Sequence, residues 1–235
     1  MKRSQINRIM RSADEFIRQH CFYLPPFAYW TPAEWKTKGQ EVREIVDNRL
    51  GWDITDFGSA EFDKTGLFLF TLRNGNPANW KTLQGKLYAE KILIVDEGQV
   101  TPMHFHWNKT EDIINRGGGR LAIQVFNATA DEKLDLSADV QLSTDGVLRI
   151  LKAGSVIELT PGESVTLTPG MYHKFWGIGS RVLVGEVSMV NDDEQDHRFN
   201  DPAGRFPKIE EDEEPLYLLC TDYPRYYQEG RSVEP

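Results

Sequence analysis

From Leu67 to Val190 the chain is a succession of short apolar or alternating runs. They are Leu67–Leu72, Leu87–Val95, Leu121–Phe126, Val147–Leu151, Val156–Leu159, Ser164–Leu167 and Val182–Val190. Turn signals at Asn74-Gly75, Asp96-Glu97-Gly98, Asp145-Gly146, Pro161-Gly162 and Pro169-Gly170 cut them apart. Runs this short and this close together specify strands, and no helix alternates regularly with them. A doubly wound parallel sheet is excluded on that ground, and an antiparallel sandwich or barrel is expected.

The first fifty residues read differently. Ile6, Ile9, Met10, Ala13, Phe16 and Ile17 recur at helical spacing behind Ser4, a candidate cap. Thr31-Pro32-Ala33-Glu34 is a capping box with proline at the first helical position. Val42, Ile45 and Val46 predict a third short helix ending near Gly51. The apolar stripes are expected to pack on a sheet. The segment Asp192–Glu214 is acidic and polar, a solvated loop or a lid over a barrel mouth, and Leu216–Leu219 reads as a final strand. The 235 residues are therefore expected to form one domain, with helices over 1–50, a barrel over 51–192, and a lid-like loop and C-terminal strand over 193–235.

With 27 Lys and Arg against 36 Asp and Glu, the formal charge is −9. That argues against nucleic acid or an anionic membrane surface as a partner. No apolar run is long enough to span a bilayer, and the start, MKRSQINRIMRSADEF, has no apolar stretch of a secretory signal. Two distant cysteines, Cys21 and Cys220, form no disulfide framework, so a reducing cytoplasm is expected.

The five histidines are unevenly placed, and two of them are expected to converge. His104 and His106 flank Phe105, and on a strand residues two apart face the same way. Glu111 follows after a short turn, and His173 lies far along the chain just past Pro169-Gly170. Three imidazoles and one carboxylate suit a divalent transition metal, and four protein ligands on an octahedral ion leave two positions open. Manganese, iron, cobalt, nickel and zinc all tolerate that donor set.

The spacing Gly98-x5-His104-x-His106-x4-Glu111-x6-Gly118 resembles the first motif of the cupin superfamily. Gly162-x5-Thr168-Pro169-Gly170-x2-His173 partly meets the second, with departures at Thr168 and Gly177. The resemblance implies a mainly β, cupin-type antiparallel jelly-roll barrel with the N-terminal helices packed outside. At a finer level GWDITDFG (51–58), FTLRNG (70–75), YAEKILIV (88–95), VTPMHFHWNKTEDIINRGGG (100–119), PGESVTLTPGMYHKFW (161–176), VLVGEVSMVNDD (182–193) and LPPFA (24–28) are similar to the D-lyxose isomerase family of cupins. That likeness implies a sugar aldose–ketose isomerase acting on D-lyxose and D-xylulose, commonly also on D-mannose and D-fructose, with manganese as the preferred metal.

Such chemistry needs an acid/base pair beside the metal. Glu186, a lone carboxylate in the apolar run VLVGEVSMV, is the expected base, one hairpin's length from His173. In YAEKILIV, Lys91 and Glu90 must face opposite ways, and the motif match favours Lys91 toward the cavity as its partner. Lys109 is a candidate substrate contact or a solvated turn lysine. Asp193 and Arg205, in the suspected lid, are candidates for gripping hydroxyls. Phe105, Trp107, Phe175 and Trp176 wall the site or fill the core. Arg116-Gly117-Gly118-Gly119 lacks the following Lys-Ser/Thr of a phosphate loop and reads as a turn leaving the metal strand. His20 and His197 receive no role. No Lys/Arg cluster suits a phosphosugar, so a free sugar is the expected substrate. An iron-dependent cupin dioxygenase and a non-catalytic sugar-binding cupin stand as alternatives. A homodimer paired across a sheet edge is expected.

Overall fold

The structure, a computed structural model, describes residues 1–228. The last part of the expected lid and C-terminal segment, residues 229–235, lies outside the described residues.

Helix α1 (Arg3–Gln19) buries the stripe Ile6, Met10, Ala13 and Ile17. Its cap residue is Lys2, not Ser4. Ser4 lies inside the first turn, where its N–H (2.9 Å) and hydroxyl (2.7 Å) both donate to Asp212. A carboxylate from the far end of the chain thus satisfies a donor that a local cap would otherwise take. The capping box at Thr31 is complete on α2 (Pro32–Trp35), and α3 (Arg43–Asp47) follows. Single 3₁₀ turns at Pro26–Tyr29 and Gln40–Val42 separate these short helices.

The strands are β1 (Gly51–Thr55) and β2 (Leu67–Arg73), then, after α4 (Asn79–Thr82), β3 (Tyr88–Val95), β4 (His104–Phe105), β5 (Glu111–Ala128), β6 (Leu134–Asp135), β7 (Val140–Thr144), β8 (Val147–Leu151), β9 (Val156–Leu159), β10 (Ser164–Leu167), β11 (Met171–Met189) and β12 (Arg198–Phe199). They pair antiparallel in the order β1-β2-β3-β11-β5-β10-β7-β8, with β6 and β9 on β5, β4 on β11 and β12 on β4. This is the cupin-type jelly roll, mainly β, with the N-terminal helix outside.

Two strands run much longer than their apolar stretches suggest. β11 spans 19 residues and β5 spans 18, and they pair with each other along nearly their full length. The triple glycine 117–119 is therefore not a turn that leaves the metal strand; β5 bends there and continues. Gly118 has φ +92°, and a Cβ on it would stand 2.2 Å from the Arg181 carbonyl oxygen. Only glycine lets the two bent strands stay in register at that crossing.

Both faces of the central strands are covered, which is why they read as continuous apolar runs. Leu69, Leu93 and Val95 point inward to the barrel core with Ile113, Leu121, Ile123, Phe175 and Val184. Phe68, Phe70, Ile92 and Ile94 point outward against α1. Burying Ile6, Met10 and Ile17 there contributes roughly 1.5–3 kcal/mol each. A third cluster joins Trp35 and Val42 to Leu218, Cys220, Tyr223 and Tyr226, the tyrosines lying in α5 (Tyr223–Tyr226).

The final strand expected at Leu216–Leu219 is reduced to one parallel bridge between Trp52 and Leu219. The Asp222 carboxylate takes the Leu219 N–H at 2.9 Å, which turns the chain toward α5 instead of extending it. Asp222 also meets Arg3, whose fully buried guanidinium binds it at 2.9 Å and Glu211 at 2.8 Å. Removing one partner of a buried pair leaves the other charge uncompensated. Arg3→Met is expected to lower stability by about 3 kcal/mol in urea unfolding, and adding Asp222→Leu should recover part of the loss.

Candidate metal centre and active site

The antiparallel ladder assembles the site. His173 on β11 lies opposite His104 on β4. Ser188 on β11 lies opposite Glu111, so Glu186 falls one inward position along from Glu111. Glu186 also faces Lys91 across the β11–β3 pair. Glu186 and His173 sit on the same bent strand; no hairpin separates them, because β11 passes through the bend unbroken.

One nitrogen each of His104, His106 and His173 lie within 4.8 Å of one another. Glu111 closes the ring, with Oε1 3.1 Å from His173 Nε2 and 3.6 Å from His106 Nε2. Each Nδ1 faces a backbone carbonyl: Pro102 for His104 (2.9 Å), Met171 for His173 (3.0 Å) and Asp196 for His106. A carbonyl only accepts, so the proton sits on Nδ1 and the Nε2 lone pair is left for a cation. Burial drives the His106 pKa down to about 3, and burial with the neighbouring imidazoles holds His104 well below its ordinary value. Burial would raise Glu111, but Lys109 draws it well below the usual carboxylate range. Three Nε2 atoms freed by their Nδ1 bonds and an adjacent ionised carboxylate make a donor set whose chemistry fits a divalent ion.

Lys109 is not a solvated turn lysine. It is buried, with Nζ 2.7 Å from Glu111 Oε2 and 2.9 Å from Glu186 Oε1. Burial disfavours its charge, yet the two carboxylates more than offset that and raise its pKa. Lys91, also buried, lies 3.4 Å from Glu186 and donates to Asn191 Oδ1 at 2.6 Å. Glu90 faces away and pairs with Arg73. Burial would lift Glu186, but Lys109 and Lys91 hold it below its ordinary value.

Asp193 and Arg205 line the same cavity. The Arg205 guanidinium binds Asp53 at 2.6 Å and Asp193 at 3.1 Å. Burial pushes Asp53 up, only partly countered by Arg205; Asp193, equally desolvated, is drawn well below its ordinary value by Arg205 and Lys91. Of the four aromatics, only Phe175 lines the cavity. Phe105 packs edge-on against Tyr172 in the core, and Trp107 is exposed.

The sequence reading missed His197, Asp53 and Asp196. His197 stacks on His104 with centroids 5.6 Å apart and meets His106 edge-on at 4.5 Å. Its Nδ1 and Arg205 Nη1 are buried with no hydrogen-bond partner among the described residues. Asp53 carried one signal, its place in the stretch GWDITDFG. His197 and Asp196 carried none. Residues 191–206 thus roof the cavity, and about 40 Å³ is left beneath them, room for a few waters. A larger cleft of about 310 Å³ beside α1 holds no imidazole.

The family model for D-lyxose isomerase matches residues 1–223. A D-lyxose/D-mannose isomerase of Serratia proteamaculans is 49% identical, covering 96% of this chain and 99% of its own length. One of Escherichia coli O157:H7 is 47% identical over 96% of this chain and 100% of its own. Among solved structures, the L-ribose isomerase of Cellulomonas parahominis is similar with a TM-score of 0.59 and 17% identity, covering 89% of this chain and 98% of that one. That of Geodermatophilus obscurus has a TM-score of 0.59 at 15% identity over the same shares. At such identities the likeness concerns the fold.

Between about 3 and 6.5 the unfolded chain binds a proton at residue 106 that the folded protein does not, so stability falls as pH drops through that window. Glu111 acts in the same direction at lower pH, since its folded pKa lies below the unfolded value. Metal-stripped protein is expected to melt at a lower temperature at pH 5 than at pH 7. A His106→Gln variant should show a shallower dependence by scanning calorimetry.

Proposed function

The chain belongs to the D-lyxose isomerase family, and from that premise we propose that it interconverts D-lyxose with D-xylulose, and D-mannose with D-fructose, by proton transfer between C1 and C2. One observation carries the reading. An ionised carboxylate, Glu186, lies buried between two ammonium groups and beside three imidazoles and a second carboxylate that suit a cation. Membership of an isomerase family leaves no place for the dioxygenase or the non-catalytic sugar-binding alternative.

His104, His106, His173 and Glu111 would hold the cation, manganese in this proposal. When bound, it would supply positive charge to the sugar's oxygens and so would raise the acidity of the neighbouring C–H. Glu186 takes the C2 proton of the aldose on its carboxylate and returns it to C1. Lys109 keeps Glu186 charged until that moment and ties it to Glu111. Lys91 relays the hydroxyl proton from O2 of the aldose to O1 as the carbon-bound proton moves. Asp193, Arg205 and Lys109 bind and orient the hydroxyls, for which the Arg205 Nη1 donor is available. Residues 191–206 exclude water, and they must yield to admit a sugar.

Two further features extend the proposal. Outermost strand β8 exposes Val147, Leu148 and Ile150 along an edge that is unpaired among the described residues, which supports pairing of two copies into a homodimer. Cys21 and Cys220 are both free thiols, in keeping with a reducing cytoplasm.

Chelator-treated protein restored with manganese is expected to convert D-lyxose to D-xylulose, and protein without added metal should not. Glu186→Gln should keep its metal and lose about 100-fold or more in kcat. In deuterated water the ketose should acquire deuterium at C1 to the extent that the proton on Glu186 exchanges with solvent before its return; normal turnover by the Gln variant would remove Glu186 as the base.

A further inference from the structure

His104 and His173 are oriented locally, each by the carbonyl of the residue two positions earlier in the chain. His106 is different. Its Nδ1 partner is the Asp196 carbonyl, 90 residues away in the roof. Nothing in the neighbourhood of His106 along the chain replaces it. The Asp196 side chain is itself buried and reaches back to the loop that carries the ligands. Its Oδ1 accepts from the Asn108 N–H at 2.9 Å and from Asn108 Nδ2 at 3.3 Å; its Oδ2 accepts from the Lys109 N–H at 3.1 Å. One residue therefore grips the loop twice, by its carboxylate and by its main-chain oxygen. The next residue, His197, packs against both His104 and His106. The roof also pairs with β4 through β12 and reaches Lys109 Nζ from Asn191 at 3.4 Å, but Asp196 holds the main chain of the ligand loop and the His106 ring together.

We propose that Asp196 is a positioning residue for metal binding: it pins the roof to residues 106–109 and so sets the orientation and tautomer of the His106 ring. The inference rests on the reading of His104, His106, His173 and Glu111 as a cation site, and it assigns the strength of that site to a residue outside it. Partners that orient ligating histidines are worth about 10–100-fold in metal affinity.

The test is Mn²⁺ titration calorimetry of chelator-stripped wild type, Asp196→Ala and Asp196→Asn, below the melting temperature of each. Wild type should bind one ion. Asp196→Ala should bind it about 10–100-fold more weakly, and Asp196→Asn, which keeps one acceptor oxygen, should fall between. At saturating Mn²⁺ the kcat of both variants should return to within a few-fold of wild type. If wild type binds one ion and both variants match its affinity within twofold, the inference is overturned. It is equally overturned if affinity is kept but kcat at saturating metal collapses, because Asp196 would then be acting on Lys109 and not on His106. If wild type binds no ion, it is the cation site itself that fails. Should the Ala variant not fold, the Asn variant decides the matter, since it differs by a single group.

Discussion

The β5–β11 ladder is the constraint on which the site depends. Because its register is antiparallel, the start of β5 meets the end of β11, and Glu111 and Glu186 come to neighbouring inward positions though far apart in sequence. The same strand, read back through its bend, delivers His173 to the partner of His104. A slip of one residue would turn all these side chains to the α1 face, where the core is aromatic and aliphatic. The glycines that permit the bend thus serve the chemistry as much as the fold.

Within that frame the electrostatics balance around one ammonium. Two buried carboxylates side by side would repel, and one would take up a proton. Lys109 lies between them and keeps both ionised, so one is available as a ligand and the other as a base. Arg205 plays a comparable part for Asp53 and Asp193, but less completely, since Asp53 stays above its ordinary value. Lys109 thus balances Glu111 and Glu186 without help from the roof, whereas Asp53 on β1 meets its counter-charge, Arg205, only when the roof is in place.

Much of this was legible in the residues. His104 and His106 announce themselves by their period of two, and Glu186 by standing alone in an apolar run. Residues whose role depends on closure were hidden. Lys109 reads as a turn lysine until the roof covers it, and His197 lies in a polar segment with no period to betray a facing surface. The long strands were obscured for a related reason: glycines that bend a strand and glycines that end one look alike, and only the close approach of the Arg181 carbonyl tells them apart. Strands β1 and β7 were overlooked because GWDIT sets polar residues inside a fully buried strand and VQLST alternates over only five residues.

The pairing of Arg3 with Glu211 and Asp222 bears on how the molecule folds. The apolar face of α1 can settle once β2 and β3 exist. The guanidinium, however, finds its counter-charges 208 and 219 positions away along the chain. Burying it before they arrive would strand a cation in an oily seam. Docking of α1 and closure of the segment that carries Glu211 and Asp222 are therefore one cooperative event.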